Sequence, residues 1–111
     1  MVSVTTRRDS TKRLSSLSAS GHSGWAQHGE DVVCAAVSAI VQTAWLGLRE
    51  VAHVAVDART GEGTLDLRWD AHTGGEATQA IVETAEIAIE HLARQYPDHV
   101  RLVRETDSQA P

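Results

Sequence analysis

A chain of 111 residues, 41% of them hydrophobic, is long enough for one domain with a modest core and too short for two. Its single cysteine excludes an intramolecular disulfide. The opening stretch MVSVTTRRDSTKR carries cations but no apolar run, so neither a secretory leader nor a membrane anchor is expected, and the cytoplasm is the default compartment. Net charge is −5 and uneven: among the first twenty residues Arg7, Arg8, Lys12 and Arg13 oppose Asp9 alone, which gives +3 there and leaves −8 for the remainder. An acidic body suits a basic peptide and disfavours nucleic acid as the main partner.

Val2 to Thr6 alternates valine with serine and threonine, the period-two pattern of a strand, and Asp9 to Thr11 supplies a turn. Leu14 to Ser20 reads as a second, weaker strand. Gly21 to Glu30 contains Gly21, Gly24 and Gly29, which favours a mobile loop over a regular element. From Val32 to Leu48 there are seventeen residues without a charge, bracketed by Asp31 and Arg49, with apolar side chains around the whole circumference. That pattern predicts a helix starting at Asp31 and buried on most sides. The run is at the short limit for a membrane span and includes Ser38, Gln42, Thr43 and Gly47, which disfavours that reading.

Val51 to Val56 has high β propensity and predicts a strand; Asp57 to Gly63 reads as a turn, and Thr64 to Trp69 alternates as the second strand of a hairpin. Glu76 to Gln95 places Ala77, Ile81, Thr84, Ala88 and Leu92 at three- and four-residue steps, an amphipathic helix stopped by Pro97. Val100 to Arg104 is the last short strand, so residues 1–104 form the domain and 105–111 a polar tail. The order ββαββαβ predicts a single α+β domain: one mostly antiparallel sheet with two helices, the first central and apolar.

Chemistry concentrates between Gly21 and Ser38. Cys34 on the opening turn of a helix would meet unpaired N–H groups and the positive end of the macrodipole, which favour a thiolate. His22, twelve positions upstream on a glycine-punctuated loop, could fold over that sulfur as general base and acid, the Cys-His form of nucleophilic catalysis. The plainer alternative is a small core cysteine beside a solvent-facing histidine. Asp31 cannot sit against the sulfur, where like charge would raise the thiol pKa; it either caps the helix or orients His22. Ser38, one turn after Cys34, either supports a substrate or bonds back to its own backbone.

His22, His28 and Cys34 recur every six residues and, with Asp31, offer ligand types for zinc, but no CxxC or HxxxH pair is present. His53, His72, His91 and His99 share no spacing and read as ordinary. Trp45 reads as core of the first helix, whereas Trp25 beside the histidine suggests a substrate contact.

The segment GHSGWAQHGEDVVCAAVSA resembles the signature of the ribosomal-processing cysteine protease family, Prp, in which a GHA-type loop precedes a G-x-D-(I/V)-V-C-A-x-x-S helix start. Gly21, His22, Gly29, Asp31, Val33, Cys34, Ala35 and Ser38 occupy its positions without a gap; Ser23 stands where alanine is usual, and Trp25 and Gln27 lie in the variable part of the loop. The resemblance implies a homodimeric, cofactor-free and metal-free endopeptidase with Cys34 as nucleophile and His22 as its partner. Gly21, Asp31 and Ser38 are then supporting or substrate-binding residues. The implied substrate is a ribosomal protein precursor, the N-terminal extension of a large-subunit protein. The alternative from another class is a non-catalytic dimeric ribosome-assembly protein that keeps the fold without turnover, against which the intact pair of Cys34 and His22 weighs.

Overall fold

The computed structural model describes residues 1–21 and 28–107, with side chains described from Val32 onward in the second stretch. Its elements run β1 (Val2–Arg8), β2 (Leu14–Ser20), α1 (His28–Leu46), β3 (Asp57–Gly61), β4 (Thr64–Arg68), α2 (Gly75–Gln95) and β5 (Val100–Thr106), the expected ββαββαβ order. One five-stranded sheet has the spatial order β3-β4-β2-β1-β5, and every pairing is antiparallel except β1 with β5. Both helices lie on one face of it, in two layers.

The alternation visible in the sequence sets this arrangement. Val2 and Val4 of β1, Leu17 and Ala19 of β2, and Leu65 and Leu67 of β4 point into the core. Their strand neighbours Ser3, Thr5, Ser16, Ser18 and Asp66 take the opposite, polar face, as the period of two requires. Against the apolar face α1 buries Val33, Val37, Val41 and Ala44, and α2 buries Thr78, Val82, Ala85 and Ile89, each a stripe at three- and four-residue steps. A fully buried leucine or isoleucine in such a layer contributes about 1.5–3 kcal/mol relative to an exposed one.

Four expectations are corrected. Helix α1 is buried along one stripe only: Val32, Ala35, Ala39 and Leu46 are exposed on the side away from the sheet, so apolar character all round does not bring burial all round. Val51 to Val56 is not a strand. Helix α1 runs on into a π-helical turn, Gly47–Val51, closed by the Ala52 N–H to the Gly47 carbonyl at 3.0 Å, and His53 then takes a left-handed conformation at φ 56°. Val54 is buried and Ala52 and Val56 pack against the core, so this β-prone composition reports burial in a connector and not strand pairing.

The hairpin therefore lies one segment later. Asp57–Gly61, expected as a turn, is β3, and it joins β4 through Glu62 and Gly63, where Gly63 has φ 70°. As an edge strand with little burial on either side, β3 has no alternation by which it could be recognised. Strand β5, lastly, continues in register with β1 to Thr106, carrying two residues of the expected tail into the sheet.

The β1–β5 side of the sheet is tied down by charge. Glu86 of α2 is 3% exposed, and its carboxylate accepts both guanidinium arms of Arg8, at 2.8 and 2.9 Å, and the Thr6 hydroxyl at 2.6 Å. Arg104 of β5 approaches it at 3.4 Å and donates to Glu90 at 2.8 Å. Burial pushes the Glu86 carboxyl up, but the Arg8 fork, the Thr6 hydroxyl and the charge of Arg104 outweigh it and hold the group below its ordinary range. On the other face Arg7 bridges Glu105 at 2.9 Å and Asp107 at 2.8 Å.

Candidate active site

Cys34 stands on α1, half-buried and packed against the core, and Ser38 follows one turn later, also half-buried. With α1 beginning at His28, Cys34 is its seventh residue. That corrects the expected helix-start position and its consequences. The macrodipole acts within the first turn, so the sulfur lies beyond its reach. The Cys34 N–H is likewise committed to the carbonyl four residues back and is no donor for an oxyanion. Asp31 is the fourth residue of α1 and not its N-cap; its side chain lies outside the described part.

Gly21 closes β2. Its N–H donates to the Gly63 carbonyl at 3.0 Å, its φ is 96°, and a Cβ there would collide with the Met1 carbonyl oxygen. Glycine is required at this point by the backbone, at the place where the chain leaves the sheet toward His22. His22, Ser23, Trp25 and Gln27 lie outside the described residues, as does the His28 side chain. The expected loop Gly21 to Glu30 is shortened from its far end, since Gly29 and Glu30 belong to α1.

From Ser38 a cleft of about 360 Å³ opens between α1 and the β3–β4 hairpin. Its apolar lining is Ala19, Val41, Leu65 and Trp45, and Gln42, Thr60 and Thr64 add neutral polar groups. Among these lining residues there is no formal charge. Positions 34, 38, 41, 42 and 45 share one helical face, so the cleft continues the line on which the sulfur sits. Trp45 packs against the core as expected but is only half-buried and also lines the cleft, with the Arg49 guanidinium 5.9 Å from its ring centroid. Sequence reasoning missed Gln42 and Thr60; the helical spacing from Cys34 could have found the first, whereas the second depends on the unrecognised edge strand. The remaining histidines are apart from this cleft, and His72 pairs with Asp9 at 3.3 Å.

A half-buried cysteine one turn before a serine that lines a neutral cleft is compatible with thiol chemistry, and comparison with known proteins identifies the class and the family. A family model described as "Cysteine protease Prp" matches residues 1–101. The ribosomal processing cysteine protease Prp of Bacillus subtilis is 30% identical over 107 residues, which cover 92% of this chain and 96% of that protein. A Streptococcus mutans crystal structure superposes with a TM-score of 0.87 at 25% identity, covering 96% of this chain and 99% of the other. The Staphylococcus aureus Prp structure in complex with a substrate peptide gives a TM-score of 0.86 at 19% identity, covering 94% and 99%. A second Staphylococcus aureus Prp structure, with a covalently linked product peptide, gives 0.82 at 20% identity over the same shares. The protein is a cysteine protease. It belongs to the Prp family.

Proposed function

We propose that this chain removes the N-terminal extension of a large-subunit ribosomal protein during ribosome maturation, with Cys34 as nucleophile and His22 as general base and acid. The observation that carries the reading is the ungapped run of family residues from Gly21 and His22 to Cys34 and Ser38, in a chain whose Cys34 and Ser38 lie on one face of α1 leading into the cleft. The Cys34 thiolate attacks the scissile carbonyl carbon; the C–N bond breaks, the amine leaves with a proton from His22, and a thioester remains. His22 then takes a proton from water, which attacks the thioester and restores the thiol. The Ser38 hydroxyl supports the bound peptide, and Asp31 orients the histidine. An imidazolium beside the sulfur supplies the thiolate stabilisation that the helix end does not.

A net charge of −5 favours a basic peptide and leaves nucleic acid out of the working partnership, and the cytoplasm is the proposed compartment. The working form is a homodimer. Support comes from the helical layer, where an apolar groove of about 590 Å³ between α1 and α2, lined by Ala39, Ile40, Ala80 and Ile81, is flanked by exposed Leu46 and Ile87, and a second copy is its occupant.

The test is incubation of the protein with a peptide spanning the extension and the first mature residues of the host's own ribosomal protein. Cleavage at a single bond, abolished by Cys34→Ala, is expected. Tight binding without cleavage would replace the reading with a non-catalytic assembly protein.

A further inference from the structure

Strand β2 is the middle of the five, and past its last ladder pair, Ser20 with Thr64, the Gly21 N–H makes one further bond, to the Gly63 carbonyl at 3.0 Å. We propose that Gly63 is a positioning residue for the reaction, whose left-handed conformation holds that carbonyl on Gly21 and thereby aims the chain toward His22. This rests on the protease reading, with Cys34 as nucleophile and His22 as its base.

Covalent geometry carries the effect. Consecutive Cα atoms are about 3.8 Å apart, so whatever fixes Gly21 fixes the point from which residue 22 starts. The bond to Gly63 sets the plane of the Ser20–Gly21 peptide, and φ of 96° turns the chain from that plane, while the Met1 carbonyl closes the space a Cβ would need. Gly21 is thus held from both flanks of the middle strand, by the residue ahead of β1 on one side and by the β3–β4 turn on the other.

On the turn side the acceptor is aimed by a two-residue connection, Glu62 and Gly63, in which Gly63 has φ 70°. Glycine takes that region freely, asparagine tolerates it, and a side chain branched at Cβ does not. Ser20, Gly61, Glu62 and Thr64 around the bond are all exposed, so it seals no apolar surface and its loss should cost the fold little. Gly61 and Thr64, which flank the turn, line the cleft that opens from Ser38. One turn therefore borders the cleft and anchors the segment that leads to the histidine.

The experiment compares wild type with Gly63→Val and Gly63→Asn, each alone and combined with His22→Ala. It reads kcat and KM on the extension peptide, the rate of iodoacetamide labelling of Cys34 at neutral pH, and amide hydrogen exchange at Gly21. Gly63→Val should lower kcat about 10- to 100-fold at unchanged KM, as a small misplacement of a catalytic group does, slow the labelling and remove the exchange protection of Gly21. Gly63→Asn should bring all three back toward wild type. In the His22→Ala background Gly63→Val should add nothing to the loss of labelling, because it acts through the histidine. If the valine variant does not fold, Gly63→Ala takes its place in every arm, with a smaller loss in the same direction. A folded Gly63→Val protein that loses the Gly21 protection yet keeps kcat overturns the positioning role, and so does an asparagine variant as impaired as valine or a labelling loss that multiplies with that of His22→Ala. The protease reading survives all three. Absence of wild-type cleavage overturns that reading and the role of Gly63 with it.

Discussion

The two edges of the sheet are built on opposite terms. At β5 the strand is stitched to its neighbours through Arg7 with Glu105 and Asp107, and through Arg8 and Arg104 with the buried Glu86. At β3 the edge is largely exposed, its charged pair Arg59 with Asp57 stands in solvent at 3.5 Å, and the helix facing it stands off by the width of a cleft. The contrast teaches where the fold holds itself together and where it keeps surface open for a peptide. Substitutions at the buried Glu86 that anchors the β5 side should act on stability and leave turnover per folded molecule alone, the exposed Arg7 bridges should matter little, and substitutions along the Cys34 face should act on turnover.

The largest effect that would sharpen this division is expected from His22→Ala. It should lower kcat/KM by about 10²–10⁴, the range of general acid–base catalysis, with the thermal midpoint unchanged. The same variant should slow iodoacetamide labelling at neutral pH toward the behaviour of an ordinary thiol, whose pKa is about 8.5, because the helix start is too distant to activate Cys34. Labelling that ignores His22 would break the account of the thiolate.

Next in size is Glu86→Ala, which strands Arg8 with one carboxylate fewer in a part-buried site. A loss of about 3–5 kcal/mol is expected in denaturant unfolding, with cleavage per folded molecule retained. A stable variant without activity would invert the comparison. The same carboxylate predicts an acid limit. Its folded pKa lies below the ordinary 4.5, so its contribution is complete above that value and is lost as pH falls through the folded one. Stability measured downward from pH 5 should fall less steeply in Glu86→Gln than in wild type.

Smaller again, Ala80→Glu on the exposed helical groove should shift light scattering at micromolar concentration from twice the 11.9 kDa chain mass to once, without loss of fold. Wild type at monomer mass would remove the dimer. Smallest of all, Arg7→Ala at the solvent-exposed bridge should leave the thermal midpoint within experimental scatter.

Much of this was legible in the sequence because burial and alternation coincide. Leu14–Ser20 is β2 with the same bounds, and α2 was readable as an amphipathic helix, but its buried stripe is Thr78, Val82, Ala85 and Ile89 and not the expected Ala77, Ile81, Thr84, Ala88 and Leu92, of which Ala77 and Thr84 are exposed. The middle of the chain was not, for a physical reason: Val54 is apolar because it is buried beneath a connector, whereas Asp57–Gly61 is polar because it is an edge, so composition exchanged the two. Of the candidate site, the shared helical face of Cys34 and Ser38 was readable from their spacing. That Trp45 also lines a cleft was not readable because a helix apolar all round gives no sign of which face meets one, and Glu86 was missed because a buried carboxylate is recognisable only once Arg8 and Thr6 are brought to it from seventy or more residues away.

The central claim, that the open edge exists to serve a nucleophile on α1, is tested most directly by cleavage of the ribosomal-protein extension peptide with Cys34→Ala and Cys34→Ser beside wild type. Both changes are small enough at a half-buried site to keep the fold, which circular dichroism and the thermal midpoint would verify. Wild type should cleave a single bond, and neither variant should cleave above the uncatalysed background. Retained cleavage in a folded Cys34→Ala protein would contradict it.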